Sequence, residues 1–129
     1  MLPALRAGRV VVCDRNLPSS LALQRLDGIA PEVIWQLYAG AYVPDVAVLL
    51  NADHTVIAGR LRARGAHSRF ERQPDSSRAE SELYHQVDAW LRAAGWPVMA
   101  LDCSTRPPET IATTIAAPVL QSYATRSQP

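Results

Sequence analysis

Asp14 and Arg15 stand side by side where an apolar run, Val10, Val11, Val12 and Cys13, gives way to polar residues. An adjacent carboxylate and guanidinium suit a ligand that carries phosphate or a metal. Arginine clamps planar oxyanions through two parallel hydrogen bonds. Aspartate holds Mg²⁺ directly or through water. The same pair also serves as a plain loop cap, so its chemistry depends on its surroundings. Ser19 and Ser20 follow with no general base near them in sequence. They read as helix-starting residues or ligand hydrogen-bonders rather than nucleophiles.

A second group is cationic: Arg60, Arg62, Arg64, Arg69 and Arg72, gathered around Gly65. On a helix Arg60 and Arg64 lie one turn apart on one side, and Arg62 points away. Followed by a glycine and a polar stretch, the group forms either a solvated basic face or a lid. A lid would bring guanidinium groups onto a transferring phosphoryl group. The third group is Asp102, Cys103 and Ser104, at the end of another apolar run. His54, His67 and His85 show no metal-ligand spacing and read as surface residues.

The elements that must position these groups alternate in type. Near-continuous apolar runs at 10–13, 46–50 and 98–101 read as buried parallel strands. Helical patterns separate them. Gly8 stops a short first helix. A helix follows Pro18 and turns at Asp27 and Gly28. Pro31 fits the first position of the next, with Val33, Ile34, Leu37, Tyr38 and Ala41 as its apolar face. Asp53 is a plausible N-cap for a helix running to about Arg64, with Val56, Ile57 and Leu61 on its apolar side. Ser77 and Glu80 form a capping-box pattern ahead of a helix bearing Leu83, Val87, Trp90, Leu91 and Ala94. Pro107 and Pro108 open a last helix that Pro118 is expected to end. Trp35, Trp90 and Trp96 are expected to fill the core or cover the sheet.

This alternation predicts an α/β fold, a parallel sheet with flanking helices. Ligands in such sheets bind in the crevice beyond the carboxyl ends of the strands. The 129 residues suffice for one domain, expected over residues 1–120, with a frayed polar tail at 121–129. Three apolar strands make a thin sheet, so a homodimer partner or a further N-terminal segment is expected beside them.

Hydrophobic residues make up 48% of the chain and charged residues 19%, a globular composition. A net charge of +1 argues against a nucleic acid polymer or a membrane as partner. Two cysteines make no disulfide scaffold, and no apolar stretch approaches the ~20 residues of a membrane span. A cytoplasmic protein without a signal peptide is the expectation.

In order, these pieces resemble a thymidylate kinase. The resemblance begins with Leu2-Pro-Ala-Leu-Arg-Ala-Gly-Arg-Val-Val-Val-Cys-Asp-Arg and Ser19-Ser20-Leu-Ala-Leu-Gln24. Pro44-Asp45-Val-Ala-Val-Leu-Leu resembles that family's next strand, and Arg62-Ala-Arg-Gly-Ala-His-Ser-Arg-Phe-Glu71 its lid. Ala100-Leu-Asp-Cys-Ser104 resembles its last strand and the loop bordering adenine. The resemblance implies a nucleoside monophosphate kinase of the P-loop NTPase fold, using ATP and Mg²⁺.

Residue by residue, it implies catalytic roles for Asp14, Arg15, Arg64 and Arg69. Arg15 would bind the acceptor phosphate, with Ser19, Ser20 and Gln24 around the acceptor. Asp14 would sit beside the phosphates and Mg²⁺. Arg60, Arg64, Asp102, Cys103 and Ser104 would border ATP. Asn16, Leu23 and Ser68 depart from the family's usual aromatic or His, Tyr and Asp; the first two leave a different nucleoside monophosphate or another small acceptor open as an alternative to dTMP. The largest departure is the family's N-terminal strand and its phosphate loop, Gly-x-x-x-x-Gly-Lys-Ser/Thr. Neither stands in this sequence, which has no lysine. In that fold the strand would lie between those at Val10 and Val46. The chain therefore resembles the C-terminal two-thirds of such a kinase, and a non-catalytic nucleotide-binding or interaction remnant is the competing reading.

Overall fold

The computed structural model describes residues 1–65 and 75–126. In chain order the elements are α1 (Leu2–Arg6), α2 (Leu17–Leu26), α3 (Pro31–Leu37), β1 (Ala47–Asn51), α4 (His54–Arg64), α5 (Ser76–Ala93), β2 (Val98–Asp102) and α6 (Pro108–Arg126). β1 and β2 pair in parallel, with Ala47 opposite Val98 and Asn51 opposite Asp102. Such pairs need a helical crossover, and α4 and α5 supply it.

Local chemistry sets the boundaries. The Asn16 side chain accepts a hydrogen bond from the Leu17 amide at 2.8 Å and opens α2. Pro31 fills the first turn of α3, where a missing N–H costs nothing. Asp53 caps α4 by accepting from the Thr55 amide at 2.8 Å. Gly65 leaves that helix at φ +88, a backbone few side chains adopt.

The core lies between α2, α3, α5 and one face of the sheet. Leu17, Leu21 and Ala22 of α2 meet Ile34, Ala47, Leu49, Val87, Leu91 and Trp96. Fully burying a leucine side chain is worth about 1.5–3 kcal/mol, so this cluster holds α2 in place. Arg25 clamps α2 to α5 from the rim. Its Nη1 donates to Gln86 Oε1 at 2.7 Å, and its guanidinium carbon lies 4.8 Å from the Trp90 ring centre. Trp35 meets Trp96 edge-on at 6.5 Å.

The structure corrects several expectations. Residues 10–13 form no strand. Among the described residues the sheet has two strands, and Val10 and Val12 are 53% and 88% exposed. A β-branched sequence favours a pleated, half-buried surface; it becomes a strand only when a neighbour takes its hydrogen bonds, and neither β1 nor β2 does. On α3 the core takes Ile34, while Val33 and Leu37 face outward.

The α5 helix begins at Ser76 behind Asp75, so Ser77 lies inside the helix, buried, and its capping box does not form. Pro118 does not end α6, which continues to Arg126 and takes in residues 121–126 of the polar tail. Proline forfeits one backbone hydrogen bond. On a helix this exposed, water can reach the freed carbonyl. Residues 66–74, including His67, Ser68, Arg69 and Arg72, and most of the proposed lid lie outside the described residues.

Candidate functional site

A cavity of about 330 Å³ runs beside α2, lined by Arg15, Asn16, Ser19, Ser20, Leu23, Gln24, Asp27 and Tyr38. That size falls at the lower end of small-molecule sites, roughly 300–1,000 Å³. Residues 16, 20, 23, 24 and 27 recur at helical spacing, so one face of α2 forms the wall. Arg15 sits at the N-terminal end of that face and Asp27 at the other.

Arg15 has φ +61, a left-handed conformation outside glycine. This costs roughly 1–2 kcal/mol, and such residues gather at ligand clamps. Hydroxyl pairs fix the wall. Ser20 Oγ lies 2.7 Å from the Tyr38 hydroxyl, and Ser19 Oγ lies 3.3 Å from the Tyr84 hydroxyl. The cavity therefore joins Arg15, Ser19, Ser20 and Gln24, four of the residues singled out in the sequence. Asp14 precedes Arg15 in the same exposed bend but does not line the cavity.

A second group forms beyond the carboxyl ends of β1 and β2. The Asp53 amide donates to Ser104 Oγ at 2.9 Å, and Ser104 Oγ donates to Asp102 Oδ1 at 2.6 Å. The Ser104 amide donates to the same carboxylate oxygen at 2.9 Å. Arg60 Nη2 donates to the Cys103 carbonyl at 2.8 Å. Asp102, Cys103, Ser104 and Arg60 thus come together, and α4 holds the loop after β2 in shape. The Ser104 hydroxyl bond, reinforced by the Ser104 amide, holds the Asp102 carboxyl below its ordinary range. The Thr55 hydroxyl and then its amide do the same for Asp53.

Arg64 is exposed in the last turn of α4 and is not among the cavity-lining residues. Arg69 lies outside the described residues. Cys13 and Cys103 are free thiols. Among the described residues no three His, Cys, Asp or Glu side chains gather as metal ligands, and no helix is long and apolar enough to cross a membrane.

Sequence reasoning missed Tyr38, Tyr84 and Asp27 as site residues. Tyr38 is 18 positions from its serine partner and Tyr84 is 65 from its own. No local spacing carries such contacts. Asp27 shows in sequence only as a turn.

The described residues form a parallel α/β unit with a guanidinium at one end of a small cavity and a second polar group beyond its strand ends. Residues 1–91 match the family described as thymidylate kinase. The chain belongs to that family, and membership implies the P-loop NTPase fold.

It is similar to a probable thymidylate kinase of Pyrococcus abyssi, 43% identical over 72 residues, which are 56% of this chain and 35% of that protein. A probable thymidylate kinase of Pyrobaculum aerophilum is 31% identical over 112 residues, 85% of this chain and 54% of that protein. The thymidylate kinase of Cutibacterium acnes is 43% identical over 68 residues, 50% of this chain and 33% of that protein. The chain thus matches about a third to a half of the length of these curated relatives.

Proposed function

We propose that this chain carries the acceptor site and lid of a thymidylate-kinase-type phosphotransferase. The reaction would move a phosphoryl group from ATP to a nucleoside monophosphate, dTMP or a relative. The observation that carries this reading is the cavity along α2, with the strained Arg15 at one end and hydrogen-bonding side chains beyond it. Arg15 would clamp the acceptor phosphate in a bidentate pair. Ser19, Ser20 and Gln24 would meet the rest of the acceptor.

The loop of Asp102, Cys103 and Ser104, shaped by Arg60, would border the donor's adenine. Arg64 and Arg69 would approach the donor phosphates. One carboxylate, Asp14, fits an Mg²⁺ held mainly by nucleotide phosphates, since Mg²⁺ commonly takes one or two carboxylates there. The bound ion would neutralise phosphate charge. Asp14 would orient it, and Arg15 would keep the acceptor phosphate beside it.

A specific observation favours the second reading, nucleotide binding without catalysis, for these 129 residues by themselves. They contain no lysine and no Gly-x-x-x-x-Gly-Lys loop. That loop supplies the amides and lysine that cradle the donor phosphates, and phosphoryl transfer depends on such positioning. A coupled ADP-release assay with ATP, Mg²⁺ and thymidylate on the purified chain separates the two readings. Negligible ADP release is expected, beside thymidylate binding in a calorimetric titration. Robust turnover would show a donor site built without a phosphate loop.

A further inference from the structure

We propose that Arg25 is a positioning residue for the α2 cavity: its hold on α5 sets the rotation of α2, and so the placement of the groups that line the cavity. The proposal rests on the acceptor-site reading above and deepens it.

The buried residues of α2 are Leu17, Leu21 and Ala22, all toward its N-terminal end. Leu23, Gln24 and Asp27 come after them and line the cavity. The last turn of α2 therefore carries part of the wall without a buried side chain of its own to anchor it. The hydroxyl pairs of Ser19 with Tyr84 and Ser20 with Tyr38 steady the earlier part of the wall.

Arg25 stands in that last turn, about 200° round the helix from Leu23. It points away from the cavity and does not line it. Its Nη1 donates to Gln86 Oε1 at 2.7 Å, and its guanidinium carbon lies 4.8 Å from the Trp90 ring centre. Gln86 and Trp90 are four residues apart on α5 and share one face. Together they form a slot for one guanidinium. Trp90 packs against the core, so the slot is fixed. A planar guanidinium can donate and stack at once, which ties it to one setting.

That setting matters because a small rotation is enough to spoil the wall. Side chains reach roughly 5–6 Å from a helix axis, so a turn of about 20° moves Gln24 by roughly 2 Å. An N–H···O hydrogen bond tolerates only about 0.5 Å between its ordinary limits. Arg25 thus acts on an acceptor that it never touches.

The test is calorimetric titration of the full chain with dTMP, repeated for Arg25→Met, Gln86→Met, the double variant, Arg25→Lys and Ile111→Ala. Arg25→Met keeps the apolar stem and is expected to weaken binding about three- to tenfold. Gln86→Met is expected to weaken it about two- to threefold. Added to Arg25→Met it is expected to change nothing further, because it acts through Arg25. Arg25→Lys keeps a cation over the ring and is expected to bind within about threefold of the unsubstituted chain. Ile111 of α6 is buried outside the cluster that holds α2. Ile111→Ala is expected to lower the urea midpoint and leave the affinity unchanged, as Arg25→Met would if Arg25 were merely stabilising. Urea unfolding checks that each variant is folded, and Gln86→Met carries the test if Arg25→Met does not fold. Unchanged affinity in the folded variants, an equal loss in Ile111→Ala, or single losses that multiply in the double variant would overturn the proposal and leave the acceptor-site reading intact. If dTMP does not bind the unsubstituted chain, the acceptor-site reading fails and takes this proposal with it.

Discussion

Asp53 and Asp102 show how single side chains tie the second group to pH. Hydrogen bonds from Thr55 and Ser104 hold both carboxyls below their ordinary range in the folded chain. A depressed folded pKa gives stability that is present above the unfolded value, near 3.9. That stability fades as pH falls through the folded value. Urea midpoints are therefore expected to drop below about pH 4, and Thr55→Ala and Ser104→Ala to lose less on acidification. Equal acid sensitivity in all three forms would mean that these bonds do not set the pKa values. Leu21 argues the core at the same scale. It is fully buried, and Leu21→Ala is expected to cost about 2–5 kcal/mol in urea unfolding.

Elements explain which features were legible in sequence. The helix starts at Pro31 and Asp53 and the stop at Gly65 were readable, because each is decided by one or two residues acting locally. Strands at 46–50 and 98–101 were readable because their neighbour is present. The apolar run at 10–13 has equal strand character and forms none, since pairing depends on a partner elsewhere. Pro118 was read as a stop by a local rule that the solvated face of α6 overrides. Of the residues that line the cavity, Arg15 stood out by type and position, while Ser19, Ser20 and Gln24 were placed at the acceptor only through the family resemblance; Tyr38 was not singled out, because its contact crosses from α3 to α2. The α2 helix carries the cavity wall, so its start matters for both fold and site. Asn16→Ala removes the cap and is expected to destabilise by about 0.5–2 kcal/mol, measurable as a lower urea midpoint. No shift would mean that the core alone holds α2.

At the scale of the molecule, the sheet has an open side. The Ala47 amide donates to the Pro97 carbonyl, and the Asn51 carbonyl accepts from the Cys103 amide. Alternate residues of a parallel ladder face opposite edges. Val48 and Leu50 therefore turn their backbone groups to the edge where no strand pairs among the described residues. The Leu50 side chain, on the face of the sheet opposite Leu49, is 56% exposed. An apolar peptide carrying a strand, a phosphate loop and a helix is expected to raise the thermal midpoint by about 4 °C or more. An unchanged midpoint would place that strand elsewhere.

The central claim is that the α2 cavity is an acceptor site anchored by Arg15, and one titration tests it most directly. Calorimetry with dTMP is run on the unsubstituted chain and on Arg15→Ala. Loss of a charge-assisted contact costs about 1.5–3 kcal/mol, so the variant is expected to bind at least tenfold more weakly, with its urea midpoint unchanged. Equal affinity of the two folded forms would contradict the account.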